Sequence, residues 1–482
     1  MQRRPKLVGT VKSAPGGLGA ERVGRDTAGM SLVVYLAFVA AAVVALRHGP
    51  GRALLAVYLP VLLLIPDGFR AITPGLPDPN FNQAALIPIV AVALLRYGRS
   101  WRPAPMDALI VLFAAWVGTS DYMARGYNDA QNLMFSMLFS VLAPYFVARW
   151  VISAEGLDVA VARRFVILVF GVALVGVWEA RFGFNPFHAL IGPLFPGQGK
   201  GWVTTFRYGM ARVAGPYSHA ILAGIMLAVA FVLQRWLQSA GHWEARFVRF
   251  KALPWPKARV ITAVLVLGML MTVARGPWLG AAVAVAILAV GQAANRRRAM
   301  MIAGAALAVG AVAGAWALND YLDIKPGAAM SMSQESALYR KVLFEKYFDI
   351  ALQSAWFGWG LTTWPKVRGM ASIDNYYLLI ALMHGVPAML MLVCMLLGSA
   401  VQCVRRGLAE APGSHSPAFA FAGIFVAVFV ALGTVYLGEQ VLPTLFFMLG
   451  WAQGWLRHGT AASVRVDAPQ PGPVPRFRHV IG

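Results

Sequence analysis

Four arginines and one acid stand where an apolar chain has little use for charge: Arg207, Arg212, Arg275, Arg340 and Asp374. Arg207 and Arg212 share the interval 182–216 with Lys200, and that interval contains no Asp or Glu. Arginine presents a planar fork of donors that meets phosphate oxygens two at a time. Uncompensated arginines therefore point to an anionic ligand; the plainer alternative is contact with lipid head groups by snorkelling. Arg212 opens the run Arg212-Val213-Ala214-Gly215-Pro216-Tyr217-Ser218-His219, directly before an apolar stretch. Gly215-Pro216 allows a sharp entry into a helix, since proline suits a first turn. His219 would then sit at the mouth of that helix, as a site residue or as a structural hydrogen-bonding group. Arg275 lies in the tight turn Thr272-Val273-Ala274-Arg275-Gly276-Pro277.

A carboxylate near such cations can take a proton from an attacking hydroxyl. Asp374 precedes an apolar run in Asp374-Asn375-Tyr376-Tyr377, and it has two readings there: helix N-cap, or functional acid or base. Glu439, on a short turn, is a weaker candidate. Arg340 falls in a helical segment from Ser333 to Gln353, where it is either a site cation or a solvated helix charge. That segment is predicted to group Leu338, Val342, Tyr347, Ile350 and Ala351 on one face. His384, inside the next apolar run, reads as a packing or polar-contact residue. His, Cys, Asp and Glu nowhere adopt metal-ligand spacing, and no glycine-rich phosphate loop with its lysine occurs. Neither a metal nor a cofactor is expected.

The elements that must carry these residues are membrane spans. The 482 residues are 59% hydrophobic and 13% charged, with a mean hydropathy of +0.63. Apolar runs recur at about 53–66, 83–97, 105–119, 133–152, 163–181, 217–237, 258–274, 277–293, 300–318, 375–400, 417–437 and 441–457. This predicts an all-α polytopic membrane protein with about twelve transmembrane helices, or thirteen if 30–46 also spans. That first stretch could instead be an interfacial helix or the core of a signal peptide. The net charge of +22 is explained by basic residues at span ends, without nucleic acid. Cys394 and Cys403 define neither a disulfide framework nor a metal site.

Basic clusters at Arg96-Arg99-Arg102, Arg163-Arg164, Arg246-Arg249-Lys251-Lys257, Arg296-Arg297-Arg298 and Arg405-Arg406 fall on alternate loops and mark the cytoplasmic side. The intervals 67–82, 120–132, 182–216, 275–276, 319–374 and 438–440 then face outward. The expected organisation is a basic disordered tail over 1–29, a membrane domain over 30–460 with one long outward loop at 319–374 before the last three spans, and a disordered cytoplasmic tail over 461–482. The long loop turns at Trp356-Phe357-Gly358-Trp359-Gly360, whose aromatics suit an interface or a sugar.

Taken in order, these pieces resemble the bacterial O-antigen ligase and O-antigen/exopolysaccharide polymerase superfamily. The resemblance rests on Arg212-x-x-Gly215-Pro216, Thr272-x-x-Arg275, Arg340 followed by Gly358-x-Gly360, and Asp374-Asn375-x-Tyr377-Leu378 with Gly385, over roughly 53–457. It implies an inner-membrane, multi-pass glycosyltransferase that moves glycan from undecaprenyl diphosphate at the periplasmic face. On the chemistry of the residues, catalytic roles are expected for Asp374, Arg340 and Arg212. Arg207, Arg275, His219, Asn375 and Tyr377 would bind substrate. Partners would be the undecaprenyl-diphosphate-linked oligosaccharide and membrane lipids, with a flippase and a chain-length regulator as further candidates. Ligases usually carry His-Asn where this chain has Asp374-Asn375, which favours a polymerase over ligation to lipid A core. A lipid-linked oligosaccharide transporter is the rival of another class. Carriers tend to place ionisable groups mid-membrane and to show repeated halves. Here His384 is the main mid-span candidate and no repeat is evident.

Overall fold

The computed structural model describes residues 32–72, 77–198, 204–247, 255–322, 332–370, 373–411 and 413–466. The N-terminal tail expected over 1–29 and residues 467–482 lie outside them. The described elements are helices apart from one two-stranded hairpin. Six helices are long and apolar enough to cross a membrane: Tyr127–Glu155, Asp158–Phe182, Ala220–Ser239, Arg275–Gln292, Arg296–Gly314 and Tyr376–Ala409. Val34–His48, Pro50–Leu64, Phe81–Tyr97 and Ala418–Leu432 are shorter apolar helices. The chain is a membrane protein.

Local signals account for many boundaries. Val34–His48 ends at Gly49, whose φ of 87° is open to glycine, and Pro50 starts the next helix. Asn80 and Gln83 form a reciprocal capping box at the start of Phe81–Tyr97. The outward loop expected over 120–132 is instead a single-residue pivot. Pro105–Arg125 and Tyr127–Ser136 meet at Gly126, whose φ of 77° turns the chain without a loop. The last helix runs Val441–Val466, past residue 461 where a tail was expected.

Close packing at the centre uses small residues. A Cβ on Gly280 would fall 2.6 Å from the Ala427 carbonyl oxygen, so Arg275–Gln292 and Ala418–Leu432 touch backbone to backbone. The interval 319–374 holds substantial helix. Arg296–Leu322 runs into it and Met332–Gln353 lies within it. Leu343, Tyr347 and Ala351 bury one stripe of Met332–Gln353 against Leu378, Ala381 and Leu382 of Tyr376–Ala409. The buried face is therefore rotated from the expected one: Leu343 rather than Val342 leads it.

Candidate functional site

Tyr376–Ala409 is broken at Gly385 (φ 84°, ψ 167°), two residues before Pro387. A break leaves helix carbonyls without N–H partners, which is costly in an apolar setting. The 354–361 turn supplies those partners. Trp359 N donates to the Leu382 carbonyl (2.8 Å) and Gly360 N to the Met383 carbonyl (2.9 Å); Val386 N donates to the Ala355 carbonyl (2.7 Å). The His384 carbonyl accepts from Trp116 Nε1 at 3.0 Å. A Cβ on Gly385 would sit 1.9 Å from the Trp356 carbonyl oxygen, so only glycine admits this turn. Phe357 stacks on Trp116 at 4.9 Å, and the Leu361 N–H donates to Asp121 Oδ1 at 2.9 Å. The aromatic turn is thus a splint, and His384, next to Ser120 Oγ at 3.1 Å, is a packing and polar-contact residue as expected.

A second structure forms around Arg212. Strands Phe206–Arg207 and Met210–Ala211 pair antiparallel across Tyr208 (φ 53°) and Gly209 (φ 74°), two successive positive-φ residues that suit a tight hairpin turn. Arg212 N continues the ladder to the Thr205 carbonyl (2.9 Å), and Val213 N reaches the Met271 carbonyl (3.2 Å). Arg212 Nε donates to the Thr272 carbonyl at 3.0 Å, so the two arginine motifs are bonded to each other. Arg275 Nη2 donates to Tyr208 Oη at 2.7 Å, and the Arg207 guanidinium lies 5.7 Å from the Tyr208 ring centroid. One hairpin therefore gathers Arg207, Arg212 and Arg275.

Glu179, 1% exposed at the end of Asp158–Phe182, fixes the turn after Arg212. Its Oε1 accepts from Asn185 Nδ2 (3.0 Å) and Ala214 N (3.2 Å), and its Oε2 from Gly215 N (2.8 Å). Asn185 Nδ2 also donates to the Gly215 carbonyl at 2.7 Å. Gly215 needs its φ of 61°, and a Cβ there would approach Val172 to 2.9 Å. Burial, then the Arg207 charge, pushes the Arg212 pKa down. Among the described residues no carboxylate forms an ion pair with Arg207, Arg212, Arg275 or Arg340. An anion arriving at Arg212 would relieve that electrostatic strain.

His219 caps Ala220–Ser239, with Nδ1 accepting from Ile221 N at 3.2 Å. Burial and Arg212 push its pKa down while Asp374 pushes it up, so Arg212, His219 and Asp374 share one electrostatic neighbourhood. The cap of Tyr376–Ala409 is Asn375, whose Oδ1 accepts from Tyr377 N (3.0 Å) and Leu378 N (3.2 Å). That job is therefore not Asp374's. Tyr377 Oη donates to the Phe429 carbonyl at 2.7 Å. Asn375 Oδ1 and the Tyr377 hydroxyl proton are thereby engaged in holding helices. Arg340 is exposed on Met332–Gln353, and no described hydrogen bond or ion pair joins it to the other arginines.

Sequence reasoning missed several contributors. Tyr208, which ties Arg275 to the hairpin, carries no signal beyond its place before Gly209. Glu179 had one, because an ionisable residue within an apolar run is functional by default. Glu439, the weaker candidate, adopts a strained φ of 49° and accepts from Ser218 N at 3.1 Å. Burial pushes its carboxyl up, against the Ser218 hydrogen bonds. Ser218 Oγ lies 3.2 Å from Tyr436 Oη.

These features define a helical membrane protein with a cationic cluster beside a carboxylate and a broken span. Residues 260–393 match the family model described as O-antigen ligase. The matched segment holds Arg275, Arg340, Asp374, Asn375, Tyr377 and the Gly385 break; Arg207, Arg212 and His219 lie before it. No curated protein matches the chain.

Proposed function

We propose that the chain is an inner-membrane polysaccharide polymerase that transfers undecaprenyl-diphosphate-linked glycan onto an acceptor repeat unit at the periplasmic face. The observation that carries this is the gathering of Arg207, Arg212 and Arg275 on one hairpin within electrostatic reach of His219 and Asp374. In the reaction the acceptor hydroxyl oxygen bonds to the anomeric carbon, the bond from that carbon to the diphosphate oxygen breaks, and the hydroxyl proton passes to Asp374. Negative charge gathers on the leaving diphosphate, where preorganised guanidinium groups stabilise it. Arg340, exposed on Met332–Gln353, is the further cation assigned to this role. Asn375 and Tyr377 shape the sugar site through the helix start they hold. This assignment goes with about twelve spans, the outward placement of 319–374, basic tails at 1–29 and at the C-terminus, and a flippase and a chain-length regulator as working partners.

A second reading is an O-antigen ligase that transfers glycan to lipid A core, favoured by the description of the matching family. Asp374 in place of histidine favours the polymerase. Deletion of the gene with analysis of surface polysaccharide separates them. Loss of polymer with single repeat units retained supports the polymerase. Polymer accumulating on the lipid carrier with uncapped core replaces it with the ligase, and unchanged polysaccharide removes both.

A further inference from the structure

Away from the arginine hairpin, a second buried polar cluster lies where the end of Pro50–Leu64 meets the start of Phe81–Tyr97 and the turn before Val441. Asp67 is 8% exposed, Asn82 4% and Gln440 0%. Asp67 Oδ1 accepts from Asn80 Nδ2 (2.8 Å) and Asn82 Nδ2 (2.7 Å). Gln440 Nε2 donates to the carbonyls of Ile65 (3.0 Å) and Pro216 (2.9 Å).

These partners fix both amides. An Asn82 oxygen turned toward the Asp67 carboxylate would be repelled, and a Gln440 oxygen cannot face two carbonyls. Asn82 Oδ1 and Gln440 Oε1 are therefore genuine acceptors, and neither meets a donor. Tyr58 Oη, fully buried and within electrostatic reach of Asp67, has no partner either. Buried polar groups are normally satisfied, so the orphaned oxygens of Asn82, which is bonded to Asp67, of Gln440, which is bonded to Ile65 two residues from Asp67, and of Tyr58 call for an electropositive ligand.

Charge narrows the choice. Asp67 acts electrostatically on Glu439, and Arg70 acts on both carboxylates. One guanidinium balances one carboxylate and leaves one negative charge. The nearby end of Pro50–Leu64 adds the partial negative charge of a helix C-terminus. A water molecule would meet the acceptors and leave the charge, and the low exposure excludes a sugar ring. Oxygen donors without sulfur or imidazole select hard cations. Among the described residues no three His, Cys, Asp or Glu side chains form a metal group, so a transition-metal centre does not compete.

We propose that Asp67, Asn82 and Gln440, with Glu439 beside them, form a site for one small hard cation, sodium or calcium, that ties the first helices to the turn before the last. The inference is independent of the glycan chemistry. Its test is thermal unfolding of the purified full-length protein in nanodiscs, at constant ionic strength in N-methyl-D-glucamine chloride, with sodium or calcium chloride titrated in. A saturable rise on the order of 2 °C at a tenfold excess over half-saturation is expected, and the responding salt identifies the ion. Asp67→Asn, which can still accept from Asn80 and Asn82, should lose the response. Equilibrium dialysis with radioactive sodium and calcium should find one ion per wild-type chain. An equal effect of sodium, calcium and N-methyl-D-glucamine, an undiminished response in Asp67→Asn, or no ion bound to the wild-type chain would each overturn the proposal.

Discussion

Glu179→Gln is the most informative single change near the arginines. The carboxylate receives three N–H donors from Asn185, Ala214 and Gly215, at 3.0, 3.2 and 2.8 Å. A glutamine has one acceptor oxygen, and its best placement keeps Asn185 and Ala214. Its amide NH₂ then faces the Gly215 N–H, donor against donor, in a buried place. Leaving one buried donor unsatisfied costs about 2 kcal/mol, the middle of the usual range. If the turn relieves that strain by moving, the ratio of molecules with Arg212 on Thr272 to those without falls by about thirtyfold, which sets the largest loss of the aligned state. Transfer from a lipid-linked donor, measured in reconstituted membranes as kcat/KM per mole of folded protein, should fall by a similar factor. Glu179→Ala orphans three donors and should lower protein yield as well. A structural defect alone would reduce the amount of protein and leave the surviving molecules fully active. Glu179→Gln protein with normal yield and unchanged kcat/KM would therefore refute the idea that this glutamate positions Arg212.

Arg→Lys at 212, 275 and 340 retains charge and loses the bidentate fork. At least two of the three should lose about tenfold or more in transfer at normal membrane levels, and full activity in all three would remove the diphosphate assignment. Because Asn375 caps Tyr376–Ala409, Asp374→Asn should fold normally and lose about a hundredfold or more in rate; near-normal polymer would exclude Asp374 as the base. His219 has a folded pKa below its unfolded value, so its contribution to stability is present above pH ~6.5 and is lost as pH falls through the folded value. Protonation removes the Nδ1 acceptor of the cap, worth about 1 kcal/mol; unfolding followed from pH 8 to pH 5 should show a steeper loss in wild type than in His219→Asn, and parallel curves would contradict it. Cysteine at Thr205 should react with an impermeant thiol reagent in intact spheroplasts and cysteine at Ala294 should not; labelling at Ala294 alone would invert the topology.

The class of the molecule was legible because runs of apolar residues are a strong signal and basic loops a strong punctuation. Arg212 and Arg275 stood out for the same kind of reason, as cations on intervals poor in acids. What joins them was hidden, since the Thr272 carbonyl is backbone and Tyr208 is an uncharged turn residue. Asp374 and Asn375 are adjacent and both suit a cap, so type alone could not assign the job; the side chain that reaches Tyr377 N and Leu378 N is Asn375. Met332–Gln353 was hard to phase because it carries apolar residues at 342, 343, 344, 347, 348, 350, 351 and 352, nearly all around. The loop expected at 120–132 was the interval left between the apolar runs 105–119 and 133–152. Asp121 is fully buried and receives Arg125 and the Leu361 N–H, a partnership across more than two hundred residues that no local pattern announces.

The splint at Gly385 bears on how the protein is made. A translocating segment that is a continuous helix can partition into lipid by itself, since its backbone is satisfied within the segment. Tyr376–Ala409 cannot, because its carbonyls at Leu382, Met383 and His384 find their donors on Trp359, Gly360 and Trp116. Those donors are synthesised earlier and must already be waiting at the right depth when the second half of the span emerges. Insertion of this segment and docking of the turn are one event. A lesion at Trp116, Gly358 or Gly360 would surface as a span that fails to enter the bilayer and is cleared by quality-control proteases, long before any question of catalysis arises.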